Sequence, residues 1–534
     1  MTAPQAPAAE AVTPPEGERT RTSRLRRSAA AAPAVVARER AFVVVLAAGA
    51  LLRVITILGY RPVLWFNDAF EYLGVALRFQ AYPVRPIGYS VFLRLLLPFH
   101  SFELVVVVQH LMGLGVAVLM YALMRHWQVG RLAATLASVP QLLDAHQIEL
   151  EHLMLSDTVF AFLVTLAITL LAWRARPSPV LAGLAALLIA AATLTRTIGL
   201  PLLIACAVYL LLRRVHWRSL TAYLVVALAP LIAFATWFHS QNGNYALNNA
   251  DGVFLYSRVM SFAECSKIHP PADLAILCSP LPPDKRPPSS NFIWHASPLD
   301  NVDHVPDPQP AAARFTKQRD ALALKFAEQA IIHQPLAYLR VGTRDFVRTF
   351  GWDRTNFPNP PVVAAYTFSL HPPMQPSRRV YIAGGTAGQD VQSYEHGKAT
   401  TRVVEPFARI MIAYQRGGFL PGTLLIPIIL AGAYGLISRR FGRPRDDRRM
   451  IVLLLWGGGM LMLVVPNFTA QFDYRYVMPS VPFLCAAAAV TATMLRGNLS
   501  RGGGAAPTAA GTPDSRDRTE PVVDEPSGPG PTAD

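Results

Sequence analysis

The sequence predicts an all-α polytopic membrane protein with about ten transmembrane helices and an irregular, α-containing extracytoplasmic region. Of the 534 residues, 52% are hydrophobic and 16% are charged, and the mean hydropathy is +0.30. Soluble domains carry about 25% charged residues, so most of this chain is suited to lipid. The formal net charge of +15 is divided among short clusters between apolar runs. That distribution is typical of membrane orientation and speaks against nucleic acid as a partner.

Ten apolar segments have roughly the length needed to cross about 30 Å of hydrocarbon. The first is followed by Gly59 and Tyr60 and not by a small-residue cleavage site, so we expect an anchor and not a cleaved signal peptide. The predicted spans lie near residues 41–58, 102–124, 131–144, 157–173, 179–195, 198–212, 219–238, 419–437, 450–465 and 477–495.

Basic residues orient these spans. With the N-terminus inside, every predicted cytoplasmic segment contains at least two Arg, or one Arg beside a His. This pattern follows the positive-inside rule and places both termini in the cytoplasm. The abundance of Ala, Arg and Pro is typical of a GC-rich bacterial genome, so a multi-pass protein of the bacterial cell membrane is expected. The segments concerned are 19–40, 125–131, 174–179, 213–218, 438–449 and 496–501.

The spans and the composition shifts divide the chain into five parts. Both ends are rich in Ala, Pro, Gly, Thr and charge without periodicity, which predicts disordered cytoplasmic tails. The parts are a basic tail (1–40), an N-terminal transmembrane module of about seven helices (41–238) with a long outer loop (59–101), an extracytoplasmic region (239–418), about three C-terminal transmembrane helices (419–495) and a second tail (496–534).

Three helices are predicted outside the spans. Residues 68–80 should form a short helix that Asn67 or Asp68 can cap, with a broad apolar side lying in the membrane interface. Within the large outer region, residues 311–333 and 336–350 show apolar side chains at helical spacing between charged ones. Both segments are therefore predicted to be amphipathic helices, while the proline-rich stretches around them should be irregular.

The four cysteines fall into two kinds of environment. Cys206 and Cys485 lie in apolar spans, where buried free thiols are the ordinary case. Cys265 and Cys278 are the pair in the polar outer region and bracket a proline-rich turn. An oxidising exterior favours a local disulfide between them, although two unrelated free thiols would also fit the sequence.

Polar clusters at four helix ends are predicted to lie on the same, outer side of the membrane. A carboxylate at the membrane boundary is costly and is a functional-site hypothesis by default. Arginine binds phosphate bidentately and keeps its charge, which suits a lipid-linked phosphate. The clusters are Asn67, Asp68 and Glu71; residues 144–152 with Ser156 and Asp157; Thr195, Arg196 and Thr197; and residues 471–476.

Several of these residues also have a purely structural interpretation. Asp68 could do no more than cap its helix. Glu149 and Glu151 could belong to a solvated turn, an interpretation that fits Glu149 better. Arg196 could be a snorkelling residue at the membrane boundary. Arg475, which lies between two tyrosines, could be an aromatic-belt anchor.

Four further side chains are candidates for a supporting role. Glu71, Glu151, His152 and Asp157 could supply a second acid or contact the acceptor. Glu151, His152 and Asp157 could instead bind a divalent metal, the one cofactor that the sequence suggests. Spacing alone does not decide between these roles.

Five motifs follow one another along the chain in a characteristic order. They resemble the polytopic GT-C glycosyltransferases, most nearly the branch of protein O-mannosyltransferases and lipid A aminoarabinose transferases, over residues 41–240 and the last three spans. The motifs are Asn67-Asp68-Ala69-Phe70-Glu71-Tyr72-Leu73, Arg85-Pro86-Ile87-Gly88-Tyr89, Leu155-Ser156-Asp157, Thr195-Arg196 and Tyr474-Arg475-Tyr476.

The resemblance implies an integral-membrane, inverting glycosyltransferase that takes a hexosyl or pentosyl group from a polyprenyl-phosphate donor. In that family the base is an acid in the first outer loop, which maps to Asp68. Many members have two adjacent acids there, whereas Asn67 precedes Asp68 here and Glu71 is the nearest substitute. Arg196 and Arg475 would bind the donor phosphate. The acceptor would be a glycan, lipid or protein of the cell envelope, on the extracytoplasmic face.

Two other functions fit an envelope protein of this kind. A transporter or lipid flippase would have charged groups near the middle of the membrane and often two related halves. Here the charges lie at one face and no internal repeat is evident. A non-catalytic assembly protein would use the outer region as a binding module. Sugar transfer in membrane fractions would separate the enzyme from both alternatives.

The orientation can be tested with reporter fusions. Fusions after Leu58, within 280–310 and after Phe468 should report an outside location, and fusions after Arg214 and Arg440 an inside location. The expected result follows from the distribution of arginine. An outside signal at Arg440 would contradict the arrangement of all four clusters.

Overall fold

The computed structural model describes residues 37–303, 310–438 and 446–502. The predicted tails, 1–40 and 496–534, lie almost wholly outside these residues. Within the described chain nearly all regular structure is helical, and the exception is a two-stranded sheet. Its strands β1 (Tyr60–Arg61) and β2 (Arg402–Val403) pair antiparallel and join the end of the first helix to a segment more than 300 residues later.

Helices occur at all seven predicted N-terminal spans. The seven are α1, α4, α5 and α7–α10 of the following series, and three shorter helices lie between them. In chain order the series is α1 (Arg40–Gly59), α2 (Asn67–Arg78), α3 (Gly88–Leu96), α4 (Phe102–His126), α5 (Arg131–Leu143), α6 (Ala145–His152), α7 (Ser156–Ala172), α8 (Pro179–Thr195), α9 (Gly199–Leu212) and α10 (Trp217–Asn242).

The rest of the chain contains many short helices followed by three apolar ones at the last three predicted spans. These helices are α11 (Asp251–Val259), α12 (Cys265–Ile268), α13 (Ala272–Ala275), α14 (Asn291–Trp294), α15 (Lys317–His333), α16 (Pro335–Arg348), α17 (Pro360–Ala364), α18 (Ala387–Glu395), α19 (Phe407–Tyr414), α20 (Leu425–Ile437), α21 (Asp447–Thr469) and α22 (Val481–Gly502).

Five helical segments of the described chain are long and apolar enough to cross a membrane, judged by length and composition. They are α1, α4, α10, α21 and the segment Tyr474–Arg496, which contains most of α22. The other five predicted spans fall on helices of 13–17 residues, short of the usual crossing length. Long and short apolar helices alike have a surface suited to lipid, formed by exposed side chains such as Leu51 of α1, Leu132 of α5 and Leu211 of α9. The chain is an all-α membrane protein.

Three apolar cores hold the molecule together. One lies within the helical bundle, among α4, α5, α7–α10, α21 and α22. A second joins α2, α3 and the start of α4 to α11, α15 and α18. A third joins β1 and α6 to α19, α20 and the turns before α22. The last two cores meet around the start of α2, where the candidate site lies.

Helix α2 is buried in the protein, so the prediction that residues 68–80 lie in the membrane interface is wrong. Nine of its twelve residues are buried, because α3 and α18 pack against it. The predicted cap is also wrong. Phe66 occupies the N-cap position without a side-chain hydrogen bond. The Oδ1 of Asn67 accepts a hydrogen bond from the Tyr381 hydroxyl instead, at 2.9 Å. Helix α2 has a broad apolar side because other parts of the protein pack against it from several directions.

Residues 144–152 are buried, so the prediction of a solvated turn at Glu149 is wrong. The carboxylate of Asp144 accepts hydrogen bonds from the backbone N–H groups of His146 and Gln147 and starts α6. Helices α1, α4, α5 and α7 surround it. Burial raises the pKa of Glu149 well above its usual value, although the positive charge of Arg354 opposes this.

A buried ion pair ties α1 to α6. Nε and Nη2 of Arg53 donate to the two carboxylate oxygens of Glu151, each at 2.7 Å, and both side chains are at most 2% exposed. Glu151 also contacts Nδ1 of His110 at 3.0 Å and accepts from Gln147 at 3.0 Å. Gly113 of α4 lies against the carboxylate and leaves no room for a Cβ. A side chain at Gly113 would therefore displace the pair.

The predicted amphipathic helices of the outer region form with shifted starts. Residues 311–314 are a short 3-10 turn, and α15 begins only after Thr316, whose Oγ1 accepts from the Arg319 N–H. Pro335 then starts α16. Helix α15 packs against α11, and Arg258 of α11 pairs with Asp345 of α16 at 2.6 Å.

All four cysteines belong to described segments. Cys265 and Cys278 form a disulfide with their Cα atoms 6.1 Å apart. The bridge encloses α12 and α13, two single-turn helices joined by the proline-rich turn. Cys206 and Cys485 are buried free thiols within apolar helices.

Glu151→Gln is expected to lower the free energy of unfolding by about 3–5 kcal/mol, because it leaves the Arg53 guanidinium buried without a counter-ion. Thermal unfolding of the purified protein in detergent measures the change. Glu405→Gln is the matched control, since it makes the same substitution in an exposed pair with Arg409 and should leave the Tm unchanged. Equal effects of the two substitutions would contradict the structural role of the buried pair.

Candidate active site

A cavity of about 910 Å³ lies where distant helix ends converge. It is bordered by the start of α2, the turn before α3, the start of α7, the end of α8, the short helix α14 and the 3-10 turn Tyr474–Tyr476 that precedes α22. The charged side chains on its wall include Asp68, Glu71, Arg85, Arg196 and Arg475. Charged side chains separated by up to 407 residues along the chain thus face one cavity.

Asp68 is held between two arginines. Its Oδ1 lies 2.9 Å from a guanidinium nitrogen of Arg85, and its Oδ2 accepts a hydrogen bond from Nη1 of Arg475 at 3.0 Å. The residue is 8% exposed, and that exposure is toward the cavity. Its position in the first turn of α2 also places the negative charge at the positive end of the helix dipole. Asp68 is thus fixed as a carboxylate that faces the cavity.

Arg475 is oriented by groups on its own turn and on α2. Its backbone N–H donates to Oδ1 of Asp473 at 3.1 Å, and its Nη2 donates to the Tyr476 hydroxyl at 3.3 Å. Its guanidinium lies 5.5 Å from the centre of the Phe66 ring. The Tyr366 hydroxyl donates to Oδ2 of Asp473 at 3.1 Å and fixes that carboxylate in turn. Aromatic and acidic neighbours therefore hold this arginine in one direction.

Arg196 occupies the position after α8. Its guanidinium pairs with Asp157 at 2.6 Å, where α7 begins, and lies 5.2 Å from the centre of the Tyr476 ring. The neighbouring Ser156 contacts the Tyr72 hydroxyl at 3.1 Å, which joins α7 to α2. Arg196 therefore reaches the same cavity as Arg475, and both guanidinium groups lie close to the Tyr476 ring.

Arg85 links the two acids of α2, since it pairs with Glu71 as well as with Asp68. Its guanidinium lies 5.7 Å from the ring centres of both Tyr72 and Trp294. Trp294 belongs to α14, so this contact brings the region between the apolar modules onto the cavity wall. The Arg85 side chain is largely buried, which strengthens its electrostatic interactions.

The site contains nearly balanced charges. Three guanidinium groups, those of Arg85, Arg196 and Arg475, face the carboxylates of Asp68, Glu71, Asp157 and Asp473.

Asp68 and Asp473 differ in the direction of their pKa shifts. Burial raises the pKa of the Asp68 carboxyl, but the positive charges of Arg85 and Arg475 lower it by more, so the result lies below the usual aspartate value. For Asp473, burial prevails over the attraction of Arg475 and its pKa is raised. Asp68 is therefore the firmly ionised acid of the cavity.

Three of the four proposed supporting residues, Glu151, His152 and Asp157, do not line the cavity. Glu151 is committed to Arg53 and His110. His152 contacts the Tyr60 carbonyl oxygen at 2.7 Å through Nε2 and His110 at 3.1 Å through Nδ1. Among the described residues, no three His, Cys, Asp or Glu side chains form a group that could hold a metal ion. Glu151, His152 and Asp157 thus have separate partners.

Three residues of the site were not singled out from the sequence. Arg85 lies in a quoted motif but had no assigned role, and its spacing from Asp68 across a proline-ended loop was the available signal. Asp473 lay in a noted cluster. Tyr366 had no signal, because it comes from a proline-rich stretch that approaches the site only in the folded chain.

The arrangement can perform two chemical tasks side by side. A carboxylate open to a cavity can accept a proton from a bound hydroxyl group. Guanidinium groups on the wall of the same cavity can stabilise a phosphate that gains negative charge. These charged side chains are largely buried, which makes both effects stronger than they would be in bulk solvent.

Comparisons with known proteins add little to this geometry. No protein-family model matches the sequence, and no curated protein matches it. Two solved structures from Archaeoglobus fulgidus are similar: an oligosaccharyltransferase in the apo form, and the oligosaccharyltransferase AglB in complex with an inhibitory peptide and a dolichol-phosphate. Both have a TM-score of 0.36 and 13% identity, covering 86% and 88% of this chain but 51% and 52% of those chains. The chain spans about half their length, and such a TM-score supports no argument about function.

Asp68→Asn should destabilise the protein at neutral pH, and this effect should shrink in acid. The folded pKa of Asp68 is lower than its unfolded value of about 3.9, so the ionised carboxylate contributes stability above that value. The contribution is lost as the pH falls through the folded pKa. Unfolding curves of wild type and variant from pH 7 to pH 3 measure the difference in Tm. A difference that stays constant across this range would contradict the ion pairing of Asp68.

Proposed function

We propose that the chain is an inverting membrane glycosyltransferase that transfers a hexosyl or pentosyl group from a polyprenyl-phosphate donor to an acceptor of the cell envelope. The observation that carries the proposal is the convergence of one ionised carboxylate, Asp68, and three guanidinium groups on one cavity. The order of motifs that resembles the GT-C glycosyltransferases supports it independently, because Asp68, Arg196 and Arg475 all belong to those motifs.

In the proposed reaction, Asp68 is the general base. An acceptor hydroxyl oxygen attacks the anomeric carbon of the donor sugar from the face opposite the phosphate, and the new C–O bond inverts that carbon. The hydroxyl proton passes to the carboxylate of Asp68. The bond between the anomeric carbon and the phosphate oxygen breaks, and its electron pair stays on the departing polyprenyl phosphate. General-base help of this kind typically contributes about 10²–10⁴-fold in rate.

The arginines stabilise the leaving group. The phosphate gains negative charge as the glycosidic bond breaks, so fixed positive charges favour the transition state over the ground state. The guanidinium groups of Arg196 and Arg475 both lie beside the Tyr476 ring and can approach different phosphate oxygens. Arg85 adds a third guanidinium beside the base.

The region 239–418 supplies the cover of the proposed site. Trp294, Tyr366 and Tyr381 from this region line the cavity together with the apolar helices. We propose that they select the acceptor and that the cavity faces the extracytoplasmic side, as the distribution of arginine predicts. The polyprenyl chain would extend along apolar lining residues such as Leu200 and Met462.

Asp68→Asn should reduce the rate of sugar transfer by about 10²–10⁴-fold, because the amide keeps the shape of the side chain and loses its proton affinity. Arg475→Ala should instead weaken use of the donor, with kcat/KM for the donor falling about 10-fold or more, since a charge-assisted hydrogen bond is worth about 1.5–3 kcal/mol. Transfer from a radiolabelled polyprenyl-phosphate sugar to envelope acceptors, with purified protein in lipid, measures both.

Glu405→Gln provides the matched control, because it changes an exposed acid to its amide and should leave transfer unchanged. Asp68→Asn activity within a few-fold of wild type would remove Asp68 from the mechanism. Absence of any transfer by the folded wild-type protein would favour a transporter or an assembly protein over an enzyme.

A further inference from the structure

We infer that the donor phosphate and the carboxylate of Asp68 compete for the same arginines, so that donor binding itself frees the base. The inference rests on the proposed function and concerns the order of events within that site. It makes Asp68 a counter-ion of the cavity arginines before the donor arrives and a base only afterwards.

The first support is that each of the three arginines around Asp68 and Tyr476 already has a carboxylate partner. Arg475 and Arg85 both pair with Asp68, at 3.0 and 2.9 Å, and Arg196 pairs with Asp157 at 2.6 Å. A phosphate that enters must either share these guanidinium groups or replace a carboxylate. Two anions beside one desolvated cation repel each other, so replacement is the favoured outcome.

The second support is that Arg475 keeps its orientation without Asp68. Its backbone N–H is bonded to Asp473, its Nη2 to Tyr476, and its guanidinium lies against the ring of Phe66. Its Nε lies 3.6 Å from Oδ2 of Asp473, a further contact that does not involve Asp68. The guanidinium can therefore release Asp68 and receive phosphate oxygens without losing the contacts that aim it at the cavity.

The third support is a balance of charge. A sugar phosphodiester carries one negative charge, as does Asp68. The exchange therefore replaces one negative charge beside Arg475 with another. During transfer Asp68 takes up a proton and becomes neutral, while the leaving phosphate gains one negative charge. The total charge of the cavity stays constant during transfer. The arginines pair with the carboxylate before the donor binds and with the phosphate afterwards.

Release from the arginines also changes Asp68 chemically. While Asp68 is paired with Arg85 and Arg475, these arginines lower the pKa of its carboxyl, which makes it a poor proton acceptor. Loss of either partner raises that pKa and improves the base. The acceptor hydroxyl is therefore activated only when a donor is present, which prevents unproductive proton uptake in the empty site.

The test is the affinity for farnesyl phosphate, a short polyprenyl phosphate, measured with purified protein in lipid nanodiscs. Asp68→Asn should bind it about tenfold more tightly than wild type, the fold-change that one charge-assisted hydrogen bond is worth. The same variant should be inactive in transfer. Asp68→Ser gives the same test if the amide disturbs folding, and Asp68→Glu, which keeps the competing charge, should bind no more tightly than wild type.

The outcomes separate this inference from the proposed function. Tighter binding by Asp68→Asn, abolished by a second substitution Arg475→Ala, supports the exchange. Equal or weaker binding by Asp68→Asn, with affinity that still depends on Arg475, would overturn the exchange and leave the donor site standing. Binding that is indifferent to Arg475 would contradict the proposed function itself.

Discussion

The pairing of charges away from water is the constraint on which this structure depends. An isolated ion in a low-dielectric interior costs several kcal/mol, so each buried acid and arginine must find a partner. Asp68 satisfies the requirement with Arg85 and Arg475, which come from a loop and from the turn before the last helix. This one carboxylate therefore joins the N-terminal helices to the turn before the last helix. The cavity lies between the helix ends that these contacts bring together.

The chain uses the same constraint in two different ways. The Arg53–Glu151 pair is sealed by backbone carbonyl groups and by His110, and its polar groups are spent on one another. It fixes α1 against α6 and serves the fold. The pairs around Asp68 instead border a cavity, where a ligand can take the place of one partner. Enclosure by protein in one case and access to a cavity in the other separates a structural ion pair from a functional one.

The sequence predicted what depends on local pattern. Apolar runs located helices at all ten predicted positions, and the polar residues at their ends included Asp68, Arg196 and Arg475, which the structure brings to one cavity. What failed depends on contacts between distant segments. The broad apolar side of α2 is compatible with lipid or with protein on its surface, and only the packing of α3 and α18 decides between them. Glu149 was misplaced for the same reason. Tyr366 reaches the site by its contact with Asp473, which is 107 positions later in the sequence.

A cryo-EM structure of the purified protein with bound polyprenyl phosphate would test the account most directly. The account predicts phosphate density within hydrogen-bonding distance of the guanidinium groups of Arg475 and Arg196, with the carboxylate of Asp68 released from Arg475. Phosphate density outside this cavity, with Asp68 still paired to both Arg85 and Arg475, would contradict it.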